Sequence, residues 1–159
     1  MALTKGTNSY VSVIEADSYF ADRLDVDAWA TASNTQKEQS LVTSTKVLET
    51  LDWTGVAVSD SQSLAFPRTG TYFDPRLGYD VSLSSVAVTN RINSATFELA
   101  YHLLNNDGLL DDTGNVDKLT VGKIDLTTIR RPDTLPSIVR NLIRPLLVNS
   151  GSNTWWRAN

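Results

Sequence analysis

The sequence predicts a mainly α domain, about four helices packed as a bundle, with long ordered loops and room for one small β-hairpin. Three observations lead there. Apolar residues recur at spacings of three and four in four stretches, which is the period of one helix face. Ser or Thr stands ahead of two of these stretches with Glu three residues on, the pattern of a capping box. Pro, Gly and Asn/Asp clusters punctuate the chain between them.

In chain order, residues 1–9 are polar, include Gly6, and read as a flexible arm. Ser12 with Glu15 opens a first helix to about Leu24, with Ala16, Tyr19, Phe20 and Arg23 on one stripe. Asp25 to Trp29 follows as a turn whose Trp29 packs back on the bundle. Thr35 with Glu38 opens the second helix, which sets Leu41, Thr45, Leu48 and Leu51 or Asp52 on one side. It runs into Trp53-Thr54-Gly55, a large apolar anchor and then a residue free to take a left-handed exit. Past a Ser/Asp-rich link, residues 61–70 end in an irregular turn, because Pro67 holds Phe66 extended. Trp53, Gly55, Phe66, Pro67 and Arg68 are the expected structural anchors.

Residues 71–83 carry Tyr72, Phe73 and Tyr79 with two turn makers, Pro75 and Gly78, and no helical period. They read as an ordered loop whose rings either meet a partner or pack on their own domain. Ser84 or Ser85 opens a third helix to about Leu104, with Val88, Ile92, Ala95, Leu99 and Leu103 facing the core. Asn105 to Gly108 stops it, residues 111–117 form a polar turn, and residues 118–126 alternate as half of a small hairpin. A linker at 130–134 leads to the last helix, opened by Thr134 with Pro136 in its first turn and weakened by Pro145. Residues 1–148 thus make one domain, and 149–159 a polar tail that carries Trp155, Trp156 and Arg157.

Composition narrows the function classes. The 159 residues are 41% apolar and 20% charged, ordinary values for one folded domain. Without cysteine there is no disulfide scaffold, thiolate metal site or cysteine catalysis. No apolar run reaches the roughly 18 residues that suggest a bilayer span, and no membrane partner or secretion signal is expected. Net charge is −4, unevenly spread: residues 1–120 hold 8 Lys/Arg against 16 Asp/Glu, and residues 121–159 hold 6 against 2. Either that asymmetry docks one basic end onto an acidic partner or it is chance on a solvated surface.

The sequence carries no signature of a catalytic, cofactor or metal site. His102, alone of its kind, sits beside the Leu99/Leu103 stripe, and no phosphate loop, dinucleotide fingerprint or nucleophile elbow is present. Asp107, Asp111, Asp112 and Asp117 lack the spacing and closing Glu of a calcium loop. For nucleic acid, Arg130, Arg131, Arg140 and Arg144 could meet phosphates. Strand binders pair a basic groove with stacking aromatics, and here the aromatics lie mostly in the acidic half. The residues therefore predict little DNA binding at physiological salt, and assign Arg140 and Arg144 to carboxylates on a partner. Trp155, Trp156 and Arg157 are hot-spot residue types, which either meet that partner or fold back over their own bundle.

The motifs also carry a resemblance. Tyr10-Val11-Ser12, residues 15–20 (EADSYF), Lys37 to Leu41, Leu51-Asp52-Trp53-Thr54-Gly55, Gln62 to Arg68, residues 95–100 (ATFELA) and Leu135-Pro136 resemble the head–tail connector (adaptor) proteins of tailed bacteriophages. The same family also carries the label DnaT-like single-stranded-DNA-binding protein. The likeness spans roughly residues 9–148, with Phe66 standing where a Trp is expected. It implies a structural, non-enzymatic virion protein of the neck, assembled in the host cytoplasm as a dodecameric ring of identical subunits. That ring would bind the portal and the next tail or neck component, and line a channel that double-stranded DNA crosses without specific binding. Arg140, Arg144, Trp155, Trp156 and Arg157 would then face the portal or a neighbouring subunit. The alternative is a single-stranded-DNA-binding replication accessory protein.

Overall fold

The computed structural model describes residues 2–106, 119–121, 124–126 and 135–148. Helix α1 (Val13–Ala21) begins where the sequence places it. The Ser12 hydroxyl accepts from the Glu15 amide, and the Glu15 carboxylate accepts from the Ser12 amide at 2.9 Å. Helix α3 (Asn34–Glu49) starts earlier than Thr35, because the same reciprocal box closes between Ser33 and Gln36. Two overlapping boxes fit the pattern, and the upstream one adds helical residues. Between these helices a short α2 (Asp27–Thr31) carries Trp29, buried against Phe20 at 4.7 Å between ring centroids. The arm at 2–9 is not loose: Asn8 caps the Thr4 amide and donates to the Ala2 carbonyl, folding it into a turn.

Helix α4 (Val86–Asn105), capped by Ser85, is the central strut. Val88, Ile92, Ala95, Leu99 and Leu103 are all buried, as their spacing requires, and α4 packs against α2, α3 and α5 (Ser137–Ile143). Helix α5 is shorter than the sequence suggests. Pro145 has no N–H to give the Asn141 carbonyl, so the α-helix ends at Ile143 and continues as a 3-10 turn, Arg144–Leu146. Pro136 sits at the capping position, one residue before the first turn.

The four-helix bundle is not what forms. The fold is mixed α/β: five α-helices and three two-stranded antiparallel sheets among the described residues. Strands β1 (Val56–Ala57) and β2 (Arg68–Thr69) pair across the turn after α3. Residues 71–83 are a hairpin, β3 (Thr71–Asp74) with β4 (Tyr79–Ser82), in the register Thr71↔Ser82 to Asp74↔Tyr79. Its period-two signal was masked because the two inward positions of β3 are Tyr72 and Asp74, one aromatic and one acidic. Gly78, at φ 76°, takes the left-handed position that closes the turn onto the Asp74 carbonyl. Strands β5 (Leu119–Val121) and β6 (Ile124–Leu126) form the third sheet, where one small hairpin was expected.

The stretch from Trp53 to Gly70 locks these pieces together. Trp53 is buried, donates from its indole N–H to the Leu48 carbonyl at 3.1 Å, and meets Phe66 edge-on at 5.0 Å. The Arg68 guanidinium donates to the Thr54 carbonyl at 2.9 Å, to Gly55 at 2.5 Å and to Trp53 at 3.3 Å, and reaches Ala65 at 3.4 Å. Gln62 donates to the carbonyls of Leu64, Ala65 and Pro67. The Glu49 carboxylate takes the Ala65 amide at 2.8 Å and the Tyr10 hydroxyl. Beyond Arg68, the Thr54 amide binds the Leu146 carbonyl and the Val148 amide binds the Asp52 carbonyl, both at 2.9 Å, so the C-terminal segment is stitched to the same turn.

Removing the Trp53 side chain by Trp53→Ala should cost about 3–5 kcal/mol, read from urea unfolding. Phe66 is half-buried rather than buried, so Phe66→Ala should cost clearly less. Gly55→Ala should be as damaging as Trp53→Ala, because the new Cβ would stand 2.3 Å from the Thr69 carbonyl oxygen at φ 80°. A Gly55→Ala protein that unfolds with the parent would show that this turn does not hold the fold.

Candidate functional site

The hairpin is aimed by one buried carboxylate. Asp74 accepts from the Tyr72 hydroxyl at 2.9 Å, from the Arg76 amide at 2.9 Å and from the Arg91 guanidinium at 3.1 and 3.3 Å. Arg91 comes from α4 and also donates to the Leu142 carbonyl of α5 at 3.4 Å. A single guanidinium therefore joins hairpin, central helix and last helix. With Tyr72 and Asp74 turned in, strand alternation turns Phe73 out, and its ring is 58% exposed.

Phe73 faces a groove of about 910 Å³ between the hairpin and the end of α5. Trp53, Thr54 and Gly55 line it together with Thr71 and Tyr72, and Asn141, Arg144, Leu147 and Val148 line it from the C-terminal segment. Arg144 is exposed and carries no ion pair among the described residues. Arg76, at the hairpin tip, is 70% exposed and stands 4.0 Å from Asp74. Asp80 is the cross-strand partner of Phe73, and the backbone carbonyl of Asp52 holds the Val148 amide at the groove's edge.

The groove alters the sequence reading in one respect. Aromatics of the acidic half and arginines of the basic end are separate in sequence, but the fold sets Phe73 and Arg144 on one groove. Of the residues assigned to a partner, Arg144 lines the groove, and Arg140 lies one turn earlier on the exposed side of α5. Trp155, Trp156 and Arg157 lie outside the described residues, as do Arg130, Arg131 and the Asp107–Asp117 group. Of the anchors, Trp53 and Gly55 line the groove, whereas Phe66 and Pro67 line a second cleft of about 300 Å³ with Tyr10, Leu64 and Leu83. Sequence reasoning missed Asn141, Asp74 and Arg91. The Asp74–Arg91 pair is 17 residues apart and joins a strand to a helix, so no local spacing announces it.

Chemistry elsewhere is structural. Buried Glu98 accepts from the Tyr19 hydroxyl at 2.7 Å and pairs with Arg23, tying α1 to α4. Burial, reinforced by Glu98, pushes the Tyr19 phenol up to about 12. Burial and the Glu49 carboxylate likewise raise Tyr10 above its ordinary value. His102 bonds the side chain of Asn106, the residue that caps the end of its helix. Among the described residues no group of three His, Cys, Asp or Glu could hold a metal ion.

Asp74 is held below its ordinary value of 3.8. Burial pushes it up, but the Arg76 amide, the Tyr72 hydroxyl and the charges of Arg91 and Arg76 outweigh that. A depressed carboxylate contributes stability that is complete above about pH 4 and lost as pH falls through the lower folded value. Asp74→Asn should therefore lower the urea midpoint at pH 7, and the gap from the parent should shrink as both are taken below pH 4. An equal gap at pH 7 and pH 3 would remove the ionised Asp74 from the account of the hairpin.

No curated protein and no solved structure matches this chain. A family model does match, over residues 2–159, and its description is "Putative DnaT-like ssDNA binding protein". That match covers the groove, the Trp53–Gly70 turn and nearly the whole sequence, and the chain belongs to this family.

Proposed function

We propose that the chain binds single-stranded DNA along the groove between the hairpin and α5. The observation that carries this reading is the exposed Phe73 sharing a groove with Arg144, which has no ion pair among the described residues; strand binders use this pairing of stacking surface and cation. The description of the family supports the same reading. Stacking of one base on Phe73 is worth about 1–3 kcal/mol and is indifferent to sequence. Two phosphates met by Arg144 and Arg76 give a salt slope of only about −1.4. With a net charge of −4 there is no long-range attraction for the strand. Binding is therefore local, modest and driven more by stacking than by counterion release.

Fluorescence anisotropy with a labelled oligothymidine tests it. Phe73→Ala should weaken binding by about 5- to 150-fold, the affinity equivalent of one lost base stack. Arg144→Ala should make the salt slope shallower by about 0.7. Binding that neither substitution alters would place the strand elsewhere, and no binding by the parent protein would end the reading.

A second reading is the head–tail connector of a tailed phage, a dodecameric neck ring docked on the portal and passing double-stranded DNA. The sequence motifs at residues 10–20, 51–55 and 62–68 support it, as do the net charge of −4 and the exposed Val56, Val58 and Val86, which suit a subunit contact. The description of the family names strand binding and no connector, so this reading stands second. The two readings part on assembly: a connector forms rings with portal particles in negative-stain images, whatever its oligonucleotide affinity.

A further inference from the structure

We infer that Asn141 reads the edge of the base stacked on Phe73 and gives the groove a preference for adenine, an inference that rests on the groove being the strand's site. Asn141 lines the groove from α5, is exposed, and its side-chain amide makes no hydrogen bond within the described residues. The amides of Asn8, Gln36 and Gln62, by contrast, are engaged by the turns and the helix cap that they hold. Helix α5 fixes where the Asn141 amide stands. Its inner side buries Val139 and Ile143, Arg91 binds its Leu142 carbonyl at 3.4 Å, and the Arg144 amide still bonds the Arg140 carbonyl. Asn141 and Arg144 are therefore three residues apart on one helical turn, neighbours on its open side.

Three side chains divide a nucleotide between them. Phe73 takes the flat face of the base and Arg144 a phosphate, which leaves the polar edge of the base for Asn141. No carboxylate lines the groove among the described residues, so that edge meets an amide. A primary amide sets a carbonyl acceptor beside an N–H donor, and it needs a donor beside an acceptor in return. Adenine alone offers that pair on two edges: its N6 amine stands beside N7 on the Hoogsteen edge and beside N1 on the Watson–Crick edge. Guanine shows two acceptors on its Hoogsteen edge, and cytosine and thymine a single polar group there. Both edges are open in a single strand, so adenine meets Asn141 in either orientation. Stacking on Phe73 is indifferent to the base, but the amide is not.

The test measures fluorescence anisotropy of three labelled oligomers of equal length, oligo-dA, oligo-dT and oligo-dC, with the full chain and its variants. The readout is the Kd for oligo-dT divided by that for oligo-dA, compared between proteins so that self-stacking within oligo-dA cancels. Asn141→Ala should lower this ratio about fivefold, the low end for a bidentate base contact, because the site is open to water. Asn141→Asp, an acceptor only, should lower it too and turn the preference towards oligo-dC, whose N4 amine donates. Arg144→Ala should weaken all three oligomers alike and leave the ratio unchanged, since phosphate contacts carry no sequence information. A ratio that Asn141→Ala leaves as in the parent overturns the inference, and strand binding stands. An Asn141→Asp protein that keeps the parent's preference for oligo-dA overturns it as well. No binding of any oligomer by the parent ends the strand reading and the inference with it.

Discussion

One guanidinium sets the geometry on which this fold depends. Arg68 gathers the carbonyls of Trp53, Thr54 and Gly55, three consecutive residues whose backbone belongs to no helix. Hydrogen bonds from a charged donor contribute roughly 1.5–3 kcal/mol each, and the carbonyls have no other described partner for that role. With the acceptors of this turn engaged by Arg68, the Thr54 amide and the Asp52 carbonyl remain available, and they take the C-terminal segment. Sequence-distant chain is thereby held against residues 52–54 without a strand long enough to form a sheet. Gly55 and Gly70 pass close there, because a Cβ at Gly55 would run into Thr69 and Leu83.

A second guanidinium, Arg91, repeats the device one layer away. It joins the Asp74 carboxylate to the Leu142 carbonyl and lies 6.0 Å over the Tyr72 ring. Buried ion pairs add little net stability, since desolvation offsets most of the attraction, but losing one partner leaves an uncompensated charge. The effect of this pair is therefore on placement: it selects one orientation of the hairpin against α4 and α5. Glu98 with Arg23 and Tyr19 does the same for α1. Between these polar clamps α4 contributes more buried apolar residues than any other element.

The groove follows from these clamps. Arg68 holds its floor, Arg91 holds both walls, and strand alternation presents Phe73 to it. An acidic protein with an aromatic, singly basic groove is poorly made for tight phosphate-driven binding. It is better suited to weak contact led by stacking. A neck-ring subunit needs similar surfaces for a different reason, since exposed apolar residues and Arg forks also build subunit contacts.

What the residues determined alone were the helices and their buried faces. Period and capping act over a few residues, so the Ser12–Glu15 box, the Val88–Leu103 stripe and the burial of Trp53 were all legible in the sequence. The weight of the Trp53–Gly70 stretch was legible too, though not that Arg68 was the reason. The bundle was misjudged because an acidic residue, Asp74, occupies an inward strand position, and it can do so only with Arg91 beside it. No local pattern reports that partner. The separation of aromatics from arginines along the sequence does not carry over into space in the same way: residues 73 and 144 are far apart in the chain, whereas the Arg68 and Arg91 clamps bring them to one groove. Tertiary structure decided both, because a charged pair across 17 residues and a groove shared by residues 73 and 144 exist only once the chain has closed on itself.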